Sequence, residues 1–151
     1  TLQPFINSWE AIHDAPDDEP NNAIVTYAKK PVLRPSPYAG MLVNGGGRPI
    51  NLNAPAPTIP ASAGGNRTPI VDFDGVLLDY HHSLIHGGMI REGIVRGVRR
   101  LTVSESARLQ TFPDEFDFVG ASSSKFRQIG NAVPPMLAEA IGRSLAMTLN
   151  R

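Results

Sequence analysis

Seven prolines between residues 31 and 60 constrain this chain more than any other feature: Pro31, Pro35, Pro37, Pro49, Pro55, Pro57 and Pro60. Each lacks a backbone donor and clashes with the carbonyl four residues earlier, so no long helix crosses this third of the chain. What fits is short strands between ordered loops, expected at Gly40–Val43, Thr58–Ala61 and Ile70–Phe73. Two glycine loops lie among them, Asn44–Arg48 (NGGGR) and Ser62–Arg67 (SAGGNR). Glycine runs accept positive φ and let backbone approach a neighbour closely, which suits recognition or packing loops. A linker is the alternative, but both runs are short and flanked by strand-like residues.

Charge adds a local signal and no global one. The 14 basic residues balance the 14 acidic ones, so no net field advertises a polyanion. Asp14, Asp17, Asp18 and Glu19 make the early chain acidic, whereas Arg91, Arg96, Arg99, Arg100 and Arg108 make a later segment basic. Such a segment is either a phosphate-facing surface or a solvated arginine-bearing loop. The sequence has no cysteine, which excludes disulfides, thiolate metal sites and a thiolate nucleophile on this chain. His81, His82 and His86 have few carboxylates nearby, so surface or hydrogen-bonding roles are expected in preference to a metal site. No apolar run approaches the ~18 residues of a membrane span, and the amino end lacks a signal-peptide pattern. A soluble, cytoplasmic chain is expected. It begins with Thr1, which suggests a processed or cut piece.

Helical signals sit at the two ends. Ile6, Trp9 and Ile12 recur at roughly helical spacing behind a capping Ser8, and Pro16 ends the pattern. Trp9 is expected to anchor against a neighbouring surface. Thr102 followed by Glu105 is a capping box, predicting a helix over Val103–Gln110 with Val103, Ala107 and Leu109 toward a core and Arg108 elsewhere. Phe112-Pro113 stops it, and Phe116 and Phe118 follow on a turn. Ser122–Ser124 is expected to cap a short helical turn through Phe126 to Gln128. Pro134-Pro135 opens a final helix from Met136 to about Leu149. Leu137, Ile141, Leu145 and Leu149 line one side of it. Little regular structure remains to cover that side, so an absent partner is expected; packing on the proline-rich segment is the alternative.

The run R-R-L-T-x-x-E-x-x-R-L-Q-x-F-P-D-x-F from Arg99 to Phe116, followed by F-R-Q-I-G-N-A-V-P-P from Phe126 to Pro135, resembles the last two motifs of DNA (cytosine-5-)methyltransferases. Upstream, Pro35–Leu42 and Gly47–Ile70 resemble the target-recognition region of that family. The likeness spans roughly residues 35–148. It implies an α+β fold: a small, irregular, β-rich target-recognition domain, then helices that complete the Rossmann-like, S-adenosylmethionine-dependent domain of a partner chain. The implied division is residues 1–30 as N-terminal helix and linker, 31–121 as recognition domain with its bracing motif at 99–116, and 122–151 as the closing helix.

The family's glycine-rich cofactor loop, Pro-Cys motif and Glu-Asn-Val motif are missing. Ser106 stands where many relatives carry a cysteine. The resemblance therefore implies the carboxy-terminal part of such an enzyme, either the small subunit of a split methyltransferase or a fragment of a longer chain. It is expected to be inactive without a cysteine-bearing catalytic polypeptide and is implied to belong to a restriction-modification system. By the same resemblance, Gly130, Asn131 and Ala132 border the S-adenosylmethionine pocket. Arg48, Gly64, Gly65, Asn66 and Arg67 belong to loops that meet double-stranded DNA, with Arg99 or Arg100 touching phosphate. Thr58, Thr102, Glu105 and Arg108 are structural. The alternative is a stand-alone, non-catalytic DNA-binding protein derived from a methyltransferase.

Overall fold

The computed structural model describes residues 5–16 and 20–149. Helix α1 (Ser8–Ile12) opens on a reciprocal box centred on Asn7, not Ser8. Asn7 Oδ1 accepts from the Glu10 amide at 2.8 Å, and the Glu10 carboxylate accepts from the Asn7 amide at 3.0 Å. Ser8 is buried instead, donating its hydroxyl to the Ala54 carbonyl at 2.8 Å. Trp9 is 46% exposed and stacks on His13, with ring centroids 4.0 Å apart, while its amide donates to the Leu52 carbonyl at 3.0 Å. The acidic residues Asp17, Asp18 and Glu19 lie outside the described residues.

Strands β1 (Tyr27–Val32) and β2 (Met41–Val43) form an antiparallel ribbon. The second falls within the expected Gly40–Val43. The first was not expected because it contains Pro31; in a two-stranded ribbon a proline need not interrupt a central ladder. Thr58–Ala61, expected as a strand, runs without strand pairing and drives only Ile59 into the core. A second antiparallel ribbon pairs β3 (Ile70–Val71) with β4 (Arg99–Arg100), placing Ile70 opposite Arg100 and Val71 opposite Arg99.

Between these two strands runs an unexpected helix, α2 (Val76–Ile85). Its cap lies upstream: the buried Asp72 carboxylate accepts from the Val76 and Leu77 amides at 2.8 Å each. Gly75, at φ 73°, swings the chain into the first turn. His81 is buried and donates Nε2–H to the Arg34 carbonyl at 2.8 Å. His86 Nδ1 bonds the His82 carbonyl at 2.8 Å. Among the described residues no group of histidines and carboxylates could hold a metal ion.

Helix α3 (Val103–Leu109) starts at the expected capping box, with Thr102 Oγ1 accepting from the Glu105 amide and Glu105 Oε2 accepting from the Thr102 amide. It ends in a Schellman arrangement, Phe112 N to Ala107 O and Thr111 N to Arg108 O. The left-handed position is occupied by Thr111 at φ 62°, a strained conformation for a β-branched residue. Its hydroxyl accepts from the Met136 amide at 3.1 Å, linking the end of α3 to the last helix. Helix α4 (Ser122–Asn131) is longer than the single turn expected, because Phe126 and Ile129 bury one side of it. Helix α5 is Pro135–Leu149.

Two cores meet at β3. Consecutive strand residues point to opposite faces. Ile70 therefore joins Val25, Leu42, Val43, Leu77, Tyr80 and Val95, while Val71 joins Ile12, Ile50, Ile59, Leu101, Phe126 and Ile129. The second core draws together the N-terminal helix, the proline-rich segment and α4. The content is mixed helix and short strand, an α+β arrangement. Helix α5 contributes to neither core: it buries no residue, and Leu137, Ile141 and Leu145 are 52%, 50% and 59% exposed. It does not pack on the proline-rich segment. Among the described residues no helix is long and apolar enough to cross a membrane.

Candidate nucleic-acid interface

The two glycine loops are built as one unit. Asn44, at the end of the β1–β2 ribbon, accepts from the Thr26 amide at 3.0 Å and donates to the Ile24 carbonyl at 3.0 Å. Beyond it, the amides of Gly46 and Gly47 both donate to the Asn66 carbonyl, at 3.1 and 3.2 Å. A Cβ on Gly45 would collide with the Asn66 carbonyl, and one on Gly47 with the Thr68 carbonyl. Glycine is required here because backbone lies against backbone. In the second loop the buried Thr68 hydroxyl accepts from the Gly64 amide at 3.0 Å and from Asn21 Nδ2 at 2.9 Å. Residues Gly65–Arg67 form a single 3-10 turn above it.

Arg100 clips the loops together from inside. It is 1% exposed, and its guanidinium donates to the Thr68 carbonyl at 2.9 Å and to the Asn44 carbonyl and side-chain oxygen at 3.0 and 3.1 Å. Burial pushes its pKa down, though arginine keeps its charge. The expectation that Arg100 touches phosphate is thereby corrected: a guanidinium enclosed by its own loops does not reach a duplex. Arg99, next to it on β4, points the other way. It makes a two-pronged pair with the buried Glu105 carboxylate at 2.7 and 2.6 Å, tying β4 to the capping box of α3. Half of its side chain is exposed.

Arg108 braces a third junction. Its guanidinium grips Asp114 through two bonds of 2.7 Å and also bonds Asp14, joining α3 to the following turn and to the end of α1. The hydrogen bond from Arg108 holds the Asp114 and Asp14 carboxyls below the usual carboxylate range.

Arg48 and Arg67 differ from all of these. They stand exposed at the ends of the two loops and line one open groove with Tyr38, Pro57 and Thr58. Neither guanidinium forms a hydrogen bond or ion pair among the described residues, and no carboxylate lines the groove. Asn66 and Gly65 are exposed beside them, Gly64 is half-buried at φ 131°, and Thr58 is exposed ahead of the buried Ile59. The arrangement offers two uncompensated cations and an amide on a rigid support. Two guanidinium forks so placed suit guanine edges or phosphate.

The second loop also stands on α4. A Cβ on Gly130 would come within 2.6 Å of the Ala61 amide nitrogen and 2.7 Å of the Ala61 Cα and Pro60 carbonyl carbon. Gly130 and Asn131 are the last two residues of α4, and Ala132 is its half-buried cap. The Asn131 amide is exposed and bonds nothing among the described residues, so it can serve as donor and acceptor for a polar ligand. These residues fit one edge of a cofactor pocket and supply no more than an edge. Sequence reasoning missed Asn44, Ala61 and Thr68, whose roles lie in tertiary contacts; Asn44 before three glycines carried at most a turn signal.

The model of the C-5 cytosine-specific DNA methylase family matches residues 52–147. The chain belongs to that family. The match takes in the second glycine loop, the β4–α3 brace, α4 and nearly all of α5. Among its relatives is a type II methyltransferase, M.AplI of Arthrospira platensis, 67% identical over 51 residues, which are 34% of this chain and 15% of that protein. A second, M.NgoMIV of Neisseria gonorrhoeae, is 48% identical over 65 residues, 39% of this chain and 21% of that protein. DNA (cytosine-5)-methyltransferase 2 of Arabidopsis thaliana is 57% identical over 51 residues, 34% of this chain and 3% of that protein. The chain thus matches less than a quarter of the length of each of these family members.

Proposed function

We propose that this chain is the DNA-reading and cofactor-closing part of a site-specific DNA cytosine-5 methyltransferase of a restriction-modification system. The remainder of the enzyme supplies the reactive cysteine, which this sequence lacks. One observation carries the reading: α5, entered directly from the Asn131 turn, presents an apolar side that nothing among the described residues covers. A side chain like leucine left in water forgoes about 1.5–3 kcal/mol relative to burial, so such a row of them marks a missing surface. A stand-alone DNA-binding protein would have no use for it.

In this reading residues 31–121 form the recognition unit and 122–151 the closing helices. Cytosine's reactive carbons are stacked inside the duplex, so the base must swing out before any chemistry. Arg48, Asn66 and Arg67 read or hold the duplex around the opened site. Gly64 and Gly65 let the backbone come close, and Arg99 lends its exposed flank to phosphate. Arg100, Thr102, Glu105 and Arg108 keep the loops in position, and Thr58 starts the segment that supports the second loop. Asn131, with Gly130 and Ala132, closes one edge of the pocket for S-adenosylmethionine, which supplies an electrophilic methyl group when bound.

The test is reconstitution with the cysteine-bearing part and a labelled methyl donor. Methyl transfer to DNA is expected only from the mixture. Leu145→Glu, on the open side of α5, should leave this chain's folding intact and abolish transfer. Transfer by this chain alone, or full activity of the Leu145→Glu mixture, refutes the proposal.

A further inference from the structure

Ser123, Arg127 and Asn131 recur at intervals of four along α4, so they share one side of the helix. All three are exposed, and together they form one wall of an open groove whose other wall is the Ala61–Gly64 segment, the root of the second glycine loop. The groove offers a guanidinium, hydroxyls and an amide, and no carboxylate lines it. The Arg127 guanidinium forms no hydrogen bond or ion pair among the described residues. Arg99, Arg100 and Arg108, by contrast, are each matched to a carboxylate or a carbonyl. An unmatched guanidinium beside hydroxyl donors is complementary to a tetrahedral oxyanion, which its fork can meet with two bonds.

The groove adjoins the loop that carries Asn66 and Arg67, because Gly130 seats that loop's root on the same helix. We propose that Arg127, assisted by the Ser123 hydroxyl one turn before it, holds a DNA backbone phosphate next to the position read by the second glycine loop. The assignment rests on the DNA-reading function proposed above. A phosphate contact orients the duplex without specifying a base, so Arg127 would set the register in which Arg67 meets it.

The experiment measures binding of a labelled mixed-sequence duplex to the chain, alone and with the catalytic part, across a series of salt concentrations. Arg127→Gln should weaken binding about fivefold and make the slope of log affinity against log salt shallower by about one. Arg127→Lys should restore most of that slope, and Ser123→Ala should have a smaller effect in the same direction. The Michaelis constant for S-adenosylmethionine should not move. An unchanged slope in Arg127→Gln, while Arg67→Gln still weakens binding, overturns the phosphate contact and leaves the DNA reading standing. A raised Michaelis constant for S-adenosylmethionine with an unchanged slope overturns it in favour of the cofactor's carboxylate. Failure of the unsubstituted chain to bind duplex in either form overturns both proposals together.

Discussion

Alanine at two glycines of neighbouring helices should have opposite effects, and the difference tests how the second glycine loop is held. Gly130, on α4, faces backbone: an added Cβ would lie 2.6 Å from the Ala61 nitrogen, where ordinary contact begins at 3.4 Å. Pro60 and Ala61 contribute main-chain atoms, which cannot rotate aside as a flexible side chain does. The two segments must therefore part by about 0.8 Å along a seam that Ile59, Ala63, Phe126 and Ile129 fill. A gap of that size forfeits a quarter to a half of the contact energy of the atoms lining it. Overpacking of this kind costs about 1–3 kcal/mol, against about 1 kcal/mol gained from replacing glycine inside a helix. Gly130→Ala should therefore show a net loss of up to about 2 kcal/mol, or up to about 8 °C in Tm for a chain of this size, since the clash is with main chain on both sides. At Gly142, on α5, the same added Cβ would meet nothing within 4 Å beyond its own chain neighbours and helix backbone, among the described residues. Gly142→Ala should leave Tm unchanged or slightly raised and increase the helical signal in circular dichroism. Urea unfolding and thermal melts of the two variants, run side by side, decide it. Equal or greater stability of Gly130→Ala would show that close approach is not what this glycine serves.

Arg100→Met removes a buried cation and leaves the Asn44 and Thr68 carbonyls without donors, so urea unfolding should show a loss of about 3 kcal/mol; Arg100→Lys should recover little of it, because an ammonium lacks the fork. The Asp114 and Asp14 carboxyls have folded-state pKa values below their ordinary value of 3.8, so the Arg108 brace stabilises above that value and loses its effect as acid protonates them. Urea midpoints of Arg108→Gln and the unsubstituted chain should accordingly differ at pH 7 and converge toward pH 2. Asn131→Ala should raise the Michaelis constant for S-adenosylmethionine in the reconstituted enzyme, measured by methyl transfer at varied cofactor concentration, with duplex affinity unchanged.

The parts legible in the sequence are those decided by local chemistry. A Thr and a Glu three residues apart can satisfy each other's amides without help, so α3 and its start could be read directly. Proline placement and four-residue apolar spacing announced α5 in the same way, and the family resemblance rested on dense local motifs. What escaped depends on distance or register. Helix α2 was missed because its cap, Asp72, stands four residues before the helix and reaches past a left-handed glycine. Strand β1 was missed because Pro31 disfavours a strand until a two-stranded ribbon leaves it room. The two adjacent arginines show the limit most clearly. Arg99 and Arg100 are chemically identical, and only the pleat of β4 sends one, half exposed, to the buried Glu105 and the other inward between the loops.

That alternation bears on how the proposed enzyme would work. Arg100 fixes the two glycine loops to each other, and Gly130 fixes the second loop to α4, whose last residue is Asn131. The path from the first loop to Asn131 thus runs through close backbone contacts and the buried side chains of Arg100 and Thr68. Close-packed interiors transmit displacement and do not absorb it. A duplex that shifts the second loop must also shift the end of α4, and with it the edge offered to the cofactor. Under the proposed function, reading a site and closing the cofactor pocket are two consequences of one rigid seam. A substitution that widens the seam without touching either ligand, such as Gly130→Ala, should weaken both together.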